Sequence, residues 1–196
     1  MTDQKTISVY DSQVGSYEEM LKNLPVDEIL IDFISRLKPN DFVLDLGCGP
    51  AYSSATMREH GLRVDPTDAS IEMISLANKT FDIGARRASF AEIDGKDIYD
   101  GIWANFSLLH ATSEELPDIL SLLHQSLKPK GIFHLGMKVG KGSSRDKLDR
   151  FYSYYTEDEL RNLLNNAGFS VEHVRFGEAY GLAGDLDPWI TLRSIS

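Results

Sequence analysis

The chain has 196 residues, enough for one domain with a full core, and its 42% apolar and 26% charged residues are ordinary for a globular protein. A formal charge of -10 argues against wholesale nucleic-acid binding, because phosphates reward Lys and Arg, and no run of about 18 apolar residues offers a membrane span. The single cysteine, Cys48, excludes an internal disulfide framework, the five histidines lack the close pairing of a metal site, and the N-terminus lacks the basic lead and apolar core of a signal peptide, so a cytoplasmic protein without a metal is expected.

Ile29, Leu30, Phe33, Ile34 and Leu37 share one face of a helix expected over Asp27–Lys38, with Pro25 near its start. Asp41–Leu46 reads as the first strand, and Gly47–Cys48–Gly49 as a turn after it. Tyr52–His60 is a helix stopped by Gly61. "LRVDPTD" is a second strand ending near Asp68, and Ser70–Asn78 a second helix of the alternating series. A short third strand is expected around Gly84–Ser89, and "YDGIWANF" is a fourth. Leu116, Leu120, Leu123 and Leu127 place a helix over Ser113–Leu127. "GIFHLGM" is a fifth strand. Thr156 and Glu159 make a capping box ahead of Leu160, Leu163 and Leu164, and Gly168 ends that helix. "FSVEHVRF" and "DPWITLRS" close the chain as two strands with no helix between them.

This alternation predicts an α/β fold: a Rossmann-like, seven-stranded, mostly parallel sheet with one antiparallel strand and helices on both faces, in a single domain over residues 1–196. In such sheets ligands collect beyond the carboxyl ends of the strands, beside the first strand. Gly47 and Gly49 lie there and let a ligand approach bare backbone. Asp68 follows Gly47 by 21 residues, where an acid accepts both hydroxyls of a ribose. A dinucleotide loop would place a third glycine at position 52, which is Tyr52. Asp45, just before the turn, repels phosphates and suits a cation. A nucleoside with a positive, phosphate-free tail fits these residues, and S-adenosyl-L-methionine is such a molecule. Cys48 belongs to the turn as a small packing residue, not a nucleophile.

At these residues the chain resembles the class I S-adenosylmethionine-dependent methyltransferases, in particular the small domains that include tellurite-resistance-type enzymes. "VLDLGCGP" is similar to the family's first motif, "VDPTDASIEMISLA" to its second, "YDGIWANFSLLHAT" to its strand-four motif, and "LKPKGIFHLGMK" to the entry of strand five. Ala51 and Lys130 stand where relatives have glycine, and Phe90 where many have an acid. The resemblance implies that Asp45, Gly47, Cys48, Gly49, Asp68, Ala69 and Met73 hold the cofactor, with Phe90 and Ala91 at the adenine and Asn105 at the end of strand four. It also implies a lid-like N-terminal segment (residues 1–24) that brings Tyr17 to the substrate.

His110 follows strand four, where the methyl acceptor is expected, and is a candidate base or substrate contact; a satisfied structural histidine is the alternative. "KVGKGSSRDKLDRFYSYY" concentrates Lys138, Lys141, Arg145, Lys147 and Arg150 in an acidic chain and ends in four aromatic residues. It reads either as a solvated loop or as a loop over the substrate, in which Lys138, Arg145 and Arg150 bind an anionic acceptor and Tyr152 or Tyr154 serves as a base. The expectation is an enzyme transferring a methyl group in line to a small molecule, anionic where the basic loop binds it, as a monomer or homodimer. The rivals are a binding protein without turnover and a nicotinamide-dependent oxidoreductase, the latter disfavoured by Tyr52.

Overall fold

The computed structural model describes residues 3–22 and 27–196, so Pro25 lies outside the described residues. The chain runs α1 (Gln4–Ser12), α2 (Val14–Lys22), α3 (Glu28–Ile34), β1 (Phe42–Leu46), α4 (Tyr52–Glu59), β2 (Arg63–Asp68), α5 (Ile71–Phe81), β3 (Arg86–Arg87) and β4 (Tyr99–Asn105). It continues with α6 (Leu116–Ser126), β5 (Leu127–Lys138), β6 (Gly142–Arg145), β7 (Phe151–Tyr154), α7 (Glu157–Asn166), β8 (Ser170–Tyr180) and β9 (Leu186–Ile195). Short 3-10 turns stand at Phe90–Glu92 and Leu108–His110.

Seven strands form one sheet in the order β3-β2-β1-β4-β5-β9-β8. All pairs are parallel except those made by β9, the one antiparallel strand. The expected fold class is therefore present. β1 lies inside the sheet between β2 and β4 and reads as a nearly continuous apolar run because both its faces are covered. Leu44 and Leu46 pack with Leu108, Leu109, Leu120, Leu123 and Phe133 on one side of the sheet. Val43 packs with Phe33, Met57 and Trp103 on the other. The Phe33 and Trp103 rings lie 5.2 Å apart, which anchors α3 to the sheet. Asp27 caps α3, accepting from Ile29 N–H at 2.8 Å, and Thr156 with Glu159 forms the expected capping box of α7.

Two features depart from the sequence reading. The basic segment after strand five is neither a free loop nor disordered coil: β6 and β7 pair as a separate antiparallel hairpin. Strand five is also longer than expected, because α6 passes straight into it at Leu127. The turn inside that strand holds Lys130 at φ +67°, a conformation that disfavours any side chain with a Cβ. The residue is exposed. Replacing Lys130 by Gly should therefore raise stability by about 0.5–1 kcal/mol, the αL relief outweighing the extra freedom of glycine in the unfolded chain. An equal or lower urea midpoint would contradict this.

Candidate functional site

After β1 the chain turns at Gly47 (φ +75°), Gly49 (φ +52°) and Ala51 (φ +65°) before entering α4. Two successive glycines in left-handed conformations keep the backbone bare where β1, β2 and β4 end. Gly47 N–H and Cys48 N–H both donate to the Thr67 carbonyl, at 2.8 and 2.9 Å, which ties the turn to β2. Ala51 takes the left-handed place expected of a third glycine and is fully buried.

Two carboxylates flank this turn. Asp45 is 2% exposed and accepts from Ser54 Oγ at 2.5 Å. Burial pushes its carboxyl up to about 7; the Ser54 hydrogen bond opposes the rise and the nearby charge of Asp68 adds to it. Asp68 accepts Gly49 N–H at 2.9 Å on one oxygen and Ser70 N–H at 2.8 Å on the other. Burial raises its pKa too, against those two backbone donors. Each oxygen keeps a lone pair for a ligand hydroxyl. Ser70 caps α5, accepting from Met73 N–H at 3.1 Å, and Met73 is 1% exposed beneath it.

The N-terminal helices close over this turn. A Cβ on Gly49 would lie 3.3 Å from the Tyr17 ring. Tyr17 meets Tyr10 edge to face at 5.7 Å. Asp11 accepts from Ser70 Oγ at 2.5 Å, which fastens α1 to the start of α5. Thr6 Oγ1 accepts from Phe151 N–H at 2.8 Å and fastens it to β7.

A polar chain lies where α1 meets the 3-10 turn after β4. His110 Nδ1 is 2.6 Å from the Phe151 carbonyl, which can only accept, so Nδ1 carries the proton. Nε2 then accepts from the Tyr10 hydroxyl at 2.9 Å, and that hydroxyl accepts from Arg150 Nη1 at 3.1 Å. Burial lowers the His110 pKa to about 4; the Phe151 carbonyl opposes this and the Arg150 and Lys138 charges add to it. Tyr152 lies 4.7 Å from the His110 ring and carries Lys138 Nζ 4.0 Å above its own.

Contacts thus run from Tyr17, against Gly49, through Tyr10 to His110 and Arg150, with Tyr152 beside the His110 ring and Lys138 over Tyr152. Arg145 stands outside this chain of contacts, whereas the Tyr154 ring stacks 6.2 Å from that of Tyr152. Arg145 is exposed at the end of β6 and bonds Asp3 and the Asp149 carbonyl. The Tyr154 hydroxyl accepts from Ser144 Oγ at 3.4 Å within the hairpin. Each cation expected to bind an anion already faces an acid: Lys138 meets Asp187, Arg145 meets Asp3, and Arg150, 3% exposed, is held by Asp146 through Nε and Nη2. Cys48 lies half-buried in the turn, and burial pushes its thiol well up, which suits packing. Ala69 is half-buried beside Asp68, Phe90 packs against the core and Ala91 is exposed. Asn105 Oδ1 turns to His134 Nε2, at 2.9 Å.

Sequence reasoning missed Tyr10, Asp11, Ser54, Ser70 and Ser107. Tyr10 had at most a faint signal, a second tyrosine seven residues before Tyr17, and the two stand on successive helices. Ser54 and Ser107 had none, since the sequence does not show that Ser54 turns to Asp45 or that Ser107 lies against Gly47.

Residues 20–174 match a family model described as a methyltransferase domain. An uncharacterized methyltransferase of Staphylococcus carnosus is 23% identical over 184 residues, covering 85% of this chain and 88% of that one. The cypemycin N-terminal methyltransferase of a Streptomyces species is 30% identical over 132 residues; the match takes in 63% of this chain and 54% of that protein. Among solved structures, the Burkholderia thailandensis 1,6-didemethyltoxoflavin-N1-methyltransferase, with its substrate and S-adenosylhomocysteine bound, aligns with a TM-score of 0.77 at 23% identity, over 98% of this chain and 88% of that one. None of these three carries the tellurite-resistance type in its name. With the family model spanning most of the sheet and its glycine turn, the chain belongs to the methyltransferase domain family.

Proposed function

We propose that this chain transfers the methyl group of S-adenosyl-L-methionine to a small, uncharged acceptor by in-line displacement. The observation that carries the reading is the pair of carboxylates, buried Asp45 and half-buried Asp68, on either side of a bare glycine turn. Two carboxylates there repel a pyrophosphate and favour a cationic tail. The residues fit the cofactor: Asp68 has lone pairs open for ribose hydroxyls, Asp45 offers its charge to the ammonium or sulfonium end, and Met73 gives the adenine side an apolar floor. When bound, the cofactor supplies an already activated methyl group. What remains for the protein is alignment and exclusion of water, and Tyr10 and Tyr17 on the lid serve that end.

His110 holds Tyr10 in this reading; both its ring nitrogens are engaged, and its lowered pKa makes it a weak base. The acceptor is taken as uncharged because Lys138, Arg145 and Arg150 are each matched by an acid, which leaves aromatic rings as the free surface. The Burkholderia relative's acceptor, 1,6-didemethyltoxoflavin, supports a small molecule of that kind. Calorimetry should show S-adenosylhomocysteine binding that S-adenosylmethionine competes away and NADH does not. Labelled methyl transfer to a panel of neutral heteroaromatics, set beside carboxylates, should favour the former. Tight NADH binding with no response to S-adenosylmethionine would sink the methyltransferase reading.

A further inference from the structure

The two edges of the sheet are built differently. β3 is 2 residues long, and both, Arg86 and Arg87, are exposed arginines, which blunts that edge against pairing. β8, at the other edge, runs for 11 residues with neither proline nor lysine, and none of its residues is buried. Phe176 is 57% and Tyr180 73% exposed, so aromatic rings stand in water along it. The register shows which backbone groups face out. Val139 N–H donates to the Pro188 carbonyl at 3.0 Å, so the even-numbered residues of β9 turn their backbone to β5 and the odd-numbered ones to β8. Trp189 and Thr191 lie opposite Gly177 and Arg175, which leaves the N–H and C=O groups of Val174, Phe176 and Glu178 pointing away from the sheet. Among the described residues no strand pairs with that edge. A Cβ on Gly177 would lie 2.2 Å from Trp189 Cζ2, so the indole lies over β8 beside its open edge.

We propose that β8 is the interface of a homodimer, in which two copies pair edge to edge, antiparallel, about a two-fold axis at Phe176. Such an axis stands normal to the sheet and preserves its faces, so residues of like parity oppose each other. An axis at Arg175 or at Glu178 would set two like charges opposite each other, which is destabilising. An axis at Val174 or Gly177 would set Phe176 against Glu172 or Glu178. The axis at Phe176 instead pairs the two Phe176 rings, while their backbones exchange both hydrogen bonds. It also sets each Arg175 opposite the partner's Gly177, in the close, non-hydrogen-bonded kind of pair. There the guanidinium comes within reach of the indole of the partner's Trp189, a cation over an aromatic face. A protein with a net charge of -10 repels its own copy at long range, and these contacts oppose that repulsion at short range. The self-complementarity of this one register favours a second copy over a foreign strand.

Sedimentation equilibrium of the full chain at high micromolar concentration tests this, and a dimer is expected. Phe176→Lys puts two lysines face to face at the axis and should raise the dimer dissociation constant about a hundredfold or more. Arg175→Ala should raise it about fivefold to thirtyfold, the worth of two cation–π contacts. Phe176→Cys reads the register and covers the case in which the lysine variant does not fold. On oxidation it should cross-link into a covalent dimer above the background that Cys48 gives in the wild type. Tyr180→Cys, which faces Glu172 of the partner subunit in this register, should not. A wild-type monomer at that concentration would leave the edge to a foreign strand and overturn the proposal. So would a dimer untouched by Phe176→Lys, or cross-linking through Tyr180→Cys in place of Phe176→Cys.

Discussion

Asp45→Asn should give a free protein that is more stable at pH 8 than the wild type and a poorer binder of cofactor. The carboxyl is buried, accepts one hydrogen bond from Ser54 and titrates at about 7 instead of the ordinary 3.8. Between those two values the folded protein keeps a proton that the unfolded chain has released. Stability therefore falls as pH rises through that window and stays at the lower level above it. Three units of raised pKa correspond to about 4 kcal/mol as an upper figure, so a gain of roughly 2–4 kcal/mol at pH 8 is expected from asparagine. That is roughly 5–15 °C in melting temperature for a chain of this size. Asparagine can still accept from Ser54. His110 and His134 work in the opposite sense: their pKa values, lowered by burial to about 4 and about 3, take stability away as pH falls below about 6.5. Both proteins share that loss, so it cancels in the difference. The proposed cationic tail reverses the situation at Asp45, because a nearby positive charge favours the ionised carboxylate. Wild-type affinity for S-adenosylhomocysteine should rise with pH up to about 7, with proton release seen as a buffer-dependent heat, and the asparagine variant should bind at least tenfold more weakly with no such slope. Unchanged affinity in the variant would separate Asp45 from the ligand altogether.

Much of the architecture could be read from the chain because local signals and tertiary fate agree. Val43–Leu46 is apolar but for Asp45 and becomes an interior strand of the sheet; Asp68 closes the next strand and comes to lie beside Gly49, as the 21-residue spacing implied. The hairpin of β6 and β7 escaped notice for a physical reason. Every residue of Gly142–Arg145 is exposed, so no alternation of apolar side chains betrays the strand. The same absence of contrast misled the reading of the cations. Arg150 and Asp146 are four apart in a non-helical turn, and only the fold shows that the guanidinium is buried against that acid and against Tyr10. Asp68 also does more than was foreseen. Its two backbone hydrogen bonds join the glycine turn to the start of α5, so it is a structural brace as well as a candidate ribose contact. Ser107 left no trace in the sequence at all, since its meaning depends on β1 and β4 lying side by side.

Gly47→Ala should be the more damaging of two similar substitutions in the turn, and the contrast tests the geometry directly. At φ +75° any Cβ costs about 1–2 kcal/mol. The new methyl would also lie 2.3 Å from Ser107 Cβ, an atom fixed to backbone that cannot swing aside. The turns after β1 and β4 must then part, which adds an overpacking cost of about 1–3 kcal/mol. A total loss near 3 kcal/mol is a large share of the roughly 5–15 kcal/mol that holds a domain together. The crevice widens at the same time, so affinity for S-adenosylhomocysteine should fall by about a hundredfold or more. Gly49→Ala meets the same left-handed strain, but its Cβ would stand 3.3 Å from a Tyr17 ring carbon, on a side chain of α2 that can yield. Its stability loss should stay near the strain term alone. Combining Gly47→Ala with Ser107→Gly removes one side of the clash and should restore about 1–2 kcal/mol, a coupling that urea melts of the two single variants and the double variant would measure. If Gly47→Ala and Gly49→Ala proved equally mild, or if Ser107→Gly restored nothing, the two turns would not touch as described, and the crevice between β1 and β4 would have to be redrawn.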